Sequence, residues 1–450
     1  MPKYLFFLIC FFIVSSSKAG EILVKFDLQN SFQAQMLTEQ FLSARGGKVI
    51  HQYQIVPGLV RVAVEDIQYE SLLNGLQLFT TLEYAIPNSK RRPAIYEFGA
   101  QNALFSPQDP PIPPRPGPLS GWVKDPKESQ NYGIADYHNG SRTVWNKYGA
   151  IGNAQTIIAV LDTGVDYTHP DLLHNMWRNT GESGMDSNGQ SKETNGVDDD
   201  ENGYVDDVVG YDFVNRDSLP YDDQSHGTHV AGTAAAVGGN GLGIAGHCPR
   251  CSIMALKFIS AEGWGTDADA ILALEYAMNM GATVINSSWG GEEYNQALLD
   301  AFVTTSNAGI VNIVAAGNEG KNLDRDPVNQ YPAEFDIPGL YTVSALYATN
   351  ITVTWWSNYG RYSSHLSAAG DTVVSTLPGG KYGPMSGTSM ATPGVAGCVG
   401  LMLSYRPELS FADLNEIFDK NVTGDPRSMS MVYYGGRLDM PRIFKGFQTP

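Results

Sequence analysis

The stretch "TIIAVLDTGVD", Thr156 to Asp166, sets the architecture. Its apolar residues run without interruption and then stop at Asp162. A strand with one wet face would alternate apolar and polar, so an unbroken run predicts a strand covered on both faces. The same pattern recurs downstream in "SIMALKFI", "TVINSSW" and "VNIVAAGN". Between these runs lie helical segments: "HGTHVAGTAAAV", "DADAILALEYAMNMG" and "NQALLDAFVTTSNAG", the last two closed by glycine. Strands alternating with helices predict an α/β fold, a mainly parallel sheet covered by helices on both faces. Ligands of such sheets bind outside the carboxyl ends of the strands. The polar residues ending the predicted strands, Asp162, Asn286 and Asn318, therefore mark the expected site.

The 450-residue chain is long enough for two or three domains. Its formal net charge of −18 argues against a nucleic-acid partner, which needs basic patches. The acidity is concentrated. From Glu182 to Asp223 there are thirteen acidic residues against Lys192 and Arg216, which reads either as a solvated acidic loop or as a site for a hard cation.

The first 19 residues have the layout of a secretory signal. Lys3 precedes the apolar run "YLFFLICFFIV", and "SSSKAG" offers cleavage after Ala19. The run is too short to span a bilayer, so the expected product is soluble and exported, without membrane attachment, and monomeric. Cys10 leaves with the signal. In an exported chain Cys248 and Cys251 of "GHCPRCS" favour a local disulfide over free thiols. Cys398 reads as a small buried apolar residue.

Residues 20–92 predict a small α+β module. It contains the strand "EILVKF", the amphipathic helix "QAQMLTEQFLSARG", the strand "GLVRVAVE", the helix "YESLLNGL" and a last strand in "TLEYAIPN". Residues 93–121 form a linker rich in proline from Pro107 onward, and 122–450 form the main body.

Acyl transfer by a serine requires a nucleophile, a base, an orienting carboxylate and donors for the oxyanion. Ser389 lies in "MSGTSMATPGVAG", a glycine-rich turn entering an apolar helix. His226 opens the helix of "QSHGTHVAG", Asp162 ends its strand, and Asn318 follows "IVAAG". Each has an ordinary structural alternative as a cap or turn residue; their convergence on one face of one sheet carries the functional reading. His226 and His229, three apart, also raise the possibility of a zinc pair, but the glutamate that a metalloprotease helix places beside its first histidine is missing. His229 is expected to be packed and hydrogen-bonded, with Gly227 and Gly232 permitting close helix packing.

"VLDTGVDYTHPDL", "HGTHVAGTAAA", "NSSWGG", "VAAGNEG" and "SGTSMATPGVAG" together resemble the subtilisin-like serine peptidases, in the chain order Asp, His, Ser. The resemblance spans about 320 residues from near Asp125. It implies Ser389 as nucleophile, His226 as base and Asp162 as orienting acid, with Asn318 and the Ser389 N–H receiving the oxyanion. It implies polypeptide substrates, with Ser288, Trp289 and Gly290 along the primary specificity pocket and Gly263, Trp264 and Gly265 opposite. A substrate would pair there as an added strand; simple packing is the alternative for both tryptophans. The family commonly has His where Gly394 stands.

In "GVDDDENGYVDDVVG", Asp198, Asp200 and Asn202 alternate before Gly203, followed by Tyr204, Asp206 and Asp207. Such oxygen ligands around a glycine turn suit a structural calcium ion, although Val209 excludes an EF-hand. The resemblance alone suggests a second calcium at Asp171, partnered by Asp125 or Glu128. It also identifies residues 20–92 as a propeptide that assists folding and blocks the site until removed, with "NSKRRPA" or the proline linker as the processing region; a permanent accessory domain is the alternative. A secreted zymogen is the resulting expectation, against a catalytically unused calcium-binding interaction protein on the same scaffold.

Overall fold

In a computed structural model the apolar runs become the strands of a parallel sheet. The structure describes residues 20–26, 41–64, 69–76, 82–95, 109–114 and 124–448, which divide into two compact units between Asn88 and Ser89. The expected signal segment, most of the helix from Gln33 to Gly46 and most of the proline linker lie outside the described residues.

The first unit comprises β1 (Gly20–Phe26), β2 (Gly47–Gln52), β3 (Leu59–Val64), α1 (Tyr69–Leu76) and β4 (Leu82–Pro87). The strands form an antiparallel sheet in the order β2-β3-β1-β4. Period-two patterning puts Ile22, Val24 and Phe26 of β1 beside Val60, Val62 and Val64 of β3, and Leu72 and Leu76 of α1 close that core.

The second unit opens with β5 (Lys90–Pro93), α2 (Ser141–Tyr148), β6 (Ile157–Asp162), β7 (Gly210–Asp212), α3 (His226–Ala235) and β8 (Ser252–Lys257). It continues through β9 (Gly265–Thr266), α4 (Asp267–Asn279), β10 (Val284–Ser287), β11 (Trp289–Gly290), α5 (Gln296–Asn307) and β12 (Val311–Ala315). β13 (Leu340–Leu346), β14 (Leu366–Ala369), β15 (Val373–Leu377), β16 (Lys381–Met385) and α6 (Thr388–Tyr405) follow. Seven strands form the main sheet in the order β14-β13-β12-β10-β6-β8-β7, with every neighbouring pair parallel.

Successive residues of β6 face opposite ways. Ile158 and Val160 join the core formed with Val230 and Ala231 of α3 and Val395 and Val399 of α6. Ala159 and Leu161 are equally inaccessible, so both faces are covered, as the unbroken apolar run requires. Helices α3 and α6 pack against each other; α4 and α5 form a second pair. Local signals set the helix ends. The Asn295 side chain caps α5 by accepting from the N–H groups of Ala297 and Leu298, and Gly281 and Gly309 follow α4 and α5 in left-handed backbone conformations.

Asn286 lies within β10, and Asn318 lies three residues beyond the end of β12, not at its last position. Gly317, at φ +95°, turns the chain out of the sheet first, and a Cβ there would stand 2.5 Å from the Asn358 Nδ2. The approach of α3 to the end of β6 is tighter still. A Cβ on Gly227 would lie 2.0 Å from the Gly164 carbonyl oxygen and 3.1 Å from the Asp162 Cβ. Gly227→Ala is expected to lower stability by about 1–3 kcal/mol through overpacking, read as a lower urea midpoint; an unchanged midpoint contradicts this packing.

Candidate active site

β6 and α3 bring together the first two residues of the site. Asp162 and His226 are completely buried, and the His226 Nδ1 lies 2.6 Å from the Asp162 Oδ1. The other oxygen of Asp162 and the Nε2 of His226 have no hydrogen-bond partner among the described residues. His226 sits at the first turn because the chain bends sharply at Ser225, whose φ is +95°. Asp222, unnoticed in the sequence, holds that bend. Its carboxylate accepts from the N–H groups of Gln224, Ser225 and Thr228 and from the Thr163 hydroxyl, at 2.8–3.0 Å. It thereby supplies the N-terminal cap that Ser225 does not. Burial raises the Asp222 carboxyl above its ordinary range, opposed by these donors and by Lys257.

His229 stands apart from this pair. Its Nε2 faces the carbonyl oxygens of Val373 and Gly383 at 2.9 and 3.1 Å, and burial pushes its pKa down to about 3. The two histidines thus take different partners rather than forming a metal pair.

Ser389 is the second residue of α6 and is fully buried. Its hydroxyl donates to the carbonyl oxygens of Ala94 at 2.6 Å and Ser288 at 2.7 Å, not to His226. Its backbone N–H donates to the same Ala94 oxygen at 3.3 Å. Pro393 inside α6 cannot donate to the carbonyl four residues earlier. That carbonyl is Ser389's own, and the Ser288 hydroxyl satisfies it at 2.9 Å. The Ser288 hydroxyl in turn accepts from Asn286 Nδ2 at 3.0 Å, which is what the polar residue near the end of β10 does. Asn318 accepts at Oδ1 from the Thr388 N–H at 2.9 Å and hydroxyl at 3.0 Å. These contacts identify the amide oxygen and leave Nδ2 as a donor with no hydrogen bond among the described residues.

The two glycine-containing segments flank a strand. β5 lies between β11 and β9, pairing Pro93 with Trp289, Arg92 with Gly290, Arg91 with Gly265 and Lys90 with Thr266, all antiparallel. Close approach explains the glycines: a Cβ on Gly265 would meet the Phe258 carbonyl oxygen at 2.5 Å, and one on Gly290 the Gln330 Nε2 at 2.3 Å. Gly263 occupies a left-handed turn at φ +78°. Trp289 is wholly buried, with its ring 4.9 Å from that of Phe258, and therefore packs in the core. Trp264 is exposed, with the Lys90 ammonium 5.9 Å from its ring centroid.

The acidic loop divides. Glu182, Asp198 and Asp200 offer carboxylate oxygens within 4.8 Å of one another. Glu182, sixteen residues before Asp198, lies outside the spacing pattern of the loop. It is inaccessible, one of its oxygens has no hydrogen-bond partner among the described residues, and burial raises its pKa to about 7. Asp207 instead receives Asn179 and Asn202 amides at 2.9 Å and the Tyr276 hydroxyl at 2.5 Å. Asp206 accepts from the Gly196 N–H, Asn202 also accepts from the Tyr204 N–H, and the Tyr204 ring stacks edge-on with Tyr211 and Tyr276. Asp125 and Asp171 meet around another loop. Asp125 accepts from the N–H groups of Gly239, Asn240 and Gly241; Asp171 accepts from the Asn240 side chain and the Ile244 N–H. Glu128 pairs with Arg142 at 2.5 Å instead. Cys248 and Cys251 are joined by a disulfide.

A model of the subtilase family, peptidase S8, matches residues 153–435, which hold the paired Asp162 and His226, Asn318 and Ser389. The chain belongs to the subtilase family. This subtilase is 34% identical over 310 residues to a thermophilic serine proteinase of Bacillus sp. strain AK1, covering 69% of this chain and 64% of that relative. It is 36% identical over 249 residues to thermitase of Thermoactinomyces vulgaris, covering 55% and 74% respectively. Among solved structures it is similar to fervidolysin of Fervidobacterium pennivorans, a keratinolytic enzyme related to subtilisin. There the TM-score is 0.69 at 24% identity, over 96% of this chain and 62% of that one. The chain thus spans under two thirds of the length of the first relative and of fervidolysin.

The departure at Gly394 has a local explanation in this subtilase. His247, from a different loop, brings its Nε2 to 3.3 Å from where a Gly394 Cβ would stand. An imidazole therefore occupies the neighbourhood of α6 without being carried by it. The His247 Nδ1 lies 2.7 Å from Asn139 Nδ2, which also reaches the Cys398 Sγ at 3.1 Å. Cys398 is buried as expected but belongs to a polar cluster, and its thiol is pushed up to about 12 by burial.

Proposed function

We propose that this subtilase is a serine endopeptidase, exported and made as a zymogen, acting on polypeptide substrates through Ser389, His226 and Asp162. The observation that carries the reading is a carbonyl seated at the serine. The Ala94 oxygen receives both the hydroxyl and the backbone N–H of Ser389, at 2.6 and 3.3 Å, while the buried His226–Asp162 pair closes at 2.6 Å.

In the reaction the Ser389 hydroxyl rotates from its carbonyl partners toward the His226 Nε2, which has no competing hydrogen bond among the described residues. Its oxygen attacks the substrate carbonyl carbon as the proton passes to His226. Asp162 keeps the other ring nitrogen protonated and stabilises the imidazolium. The oxyanion receives the Ser389 N–H and the Asn318 Nδ2. The C–N bond then breaks as His226 returns the proton to the leaving amine, and water hydrolyses the acyl-enzyme by the same steps in reverse.

Residues 20–92 act as the propeptide, intramolecular chaperone and inhibitor. The chain leaves that unit at Asn88 and runs directly into β5 beside Ser389, which favours "NSKRRPA" over the proline linker as the processing region, with cleavage of the Ala94–Ile95 bond. Gly263 to Gly265 and Ser288 to Gly290 then bind substrate as they flank β5, as an added strand.

Calcium is the proposed structural ion. Glu182, Asp198 and Asp200 would hold one ion, since clustered carboxylates with an unpaired buried oxygen suit a hard cation. A second would rest near Asp125 and Asp171. No described helix is long and apolar enough to cross a membrane.

Ser389→Ala is expected to reduce casein hydrolysis by about 10⁴-fold or more, while still unfolding in a cooperative thermal transition; equal rates for the variant and the parent overturn the peptidase reading. Chelation with EGTA is expected to lower the melting temperature of the Ser389→Ala protein, where autolysis does not interfere, and added calcium to restore it. An unchanged melting temperature contradicts the calcium sites.

A further inference from the structure

β5 carries two consecutive arginines, and the sheet treats them oppositely. Arg92 points to solvent, whereas Arg91 is wholly inaccessible. Alternation along a strand explains why one is taken in and the next is not. The Arg91 guanidinium meets Asp267 through two parallel contacts, Nε to Oδ1 at 2.5 Å and Nη2 to Oδ2 at 3.0 Å. Nη2 also donates to the Glu293 carbonyl oxygen at 2.9 Å. A planar fork on a carboxylate is a geometry that arginine satisfies and lysine does not.

The receiving group is built into the second unit. Asp267 is the first residue of α4, is completely buried, and is held by the Asn295 Nδ2 at 2.7 Å, on the residue that caps α5. Its N–H donates to the Ser89 carbonyl oxygen at 2.9 Å, fixing the incoming strand two residues before Arg91. Gly291 completes the pocket: a Cβ there would lie 2.6 Å from the Arg91 Nη1 and 3.0 Å from the Lys90 carbonyl oxygen. Arg91 is the one ion-pair partner of Asp267 among the described residues, so a strand seated there without an arginine would cover the carboxylate and leave it with no opposite charge. Apolar side chains would leave it unpaired, and such discrimination is strong because an unmet buried charge is costly.

We infer that Asp267 is a specificity-determining residue, selecting an arginine four residues before the scissile bond, both in the chain's own Arg91 and in substrates bound in trans. This deepens the endopeptidase reading and rests on it. The side chain next to the scissile bond, that of Ala94, is small and buried, so the strongest charge recognition lies away from the cut.

The test uses the full-length chain, purified after its own processing, and three peptide p-nitroanilides: acetyl-Arg-Arg-Pro-Ala, acetyl-Leu-Arg-Pro-Ala and acetyl-Arg-Leu-Pro-Ala. The expected kcat/KM for the first exceeds that for the second by about thirtyfold or more and is within about threefold of that for the third. Equal values for the first two overturn the inference while leaving the peptidase reading intact. Release from none of the three overturns the peptidase reading and the inference with it. In Asp267→Asn the advantage of the first peptide over the second is expected to vanish; a preserved advantage assigns the selectivity elsewhere and overturns the inference. The wild-type peptide series decides the matter even if that variant does not fold.

Discussion

Everything at the site depends on bringing a buried imidazole onto a buried carboxylate at the end of the central strand. Asp162 and His226 are 2.6 Å apart and wholly inaccessible, in surroundings where a misplaced polar atom is costly. Strand β6 fixes Asp162 by pairing on both edges, and α3 must bring His226 down on it. That demands a helix start with no side chain at Gly227, a left-handed bend at Ser225, and a carboxylate, Asp222, that gathers the loose amides of the bend. Lys257, buried on the adjacent strand, donates to the Thr163 carbonyl at 2.7 Å and Asp223 at 2.6 Å, tying the same loop to the sheet.

α6 faces a related problem. A helix that carries Ser389 in its first turn and contains Pro393 leaves the Ser389 carbonyl without its helical donor. Ser288 fills that vacancy with its hydroxyl while its own carbonyl faces the Ser389 hydroxyl. The segment flanking β5 and the helix bearing Ser389 are thereby locked together. Residues that would separately read as a turn, a cap and a strand end form one hydrogen-bonded unit.

The features legible in the sequence were those with a local signature. Unbroken apolar runs announced the covered strands, glycines closed α4 and α5, and family motifs marked Asp162, His226, Asn318 and Ser389 as the candidate site. Features created by distant contacts were not legible. Glu182 reaches the acidic loop from outside its spacing pattern, and Asp222 caps a helix from four residues before its start. His247 stands beside Gly394 although 147 residues separate them. Asp267 has the position of an ordinary acidic residue in a helix first turn, and nothing local in "GTDADA" signals the guanidinium it meets. Trp289, read as a pocket residue or a packed one, is packed because its ring fits between Phe258 and Phe302.

The Ala94 carbonyl at Ser389 is proposed to be the acyl group of a bond the chain cuts itself. N-terminal sequencing together with the intact mass of the purified chain tests it most directly. A mature chain beginning at Ile95 is expected for the parent, and an uncut Asn88–Ile95 junction for Ser389→Ala. A mature chain beginning within the proline linker without cleavage at Ile95, or an Ile95 terminus in Ser389→Ala, would contradict it.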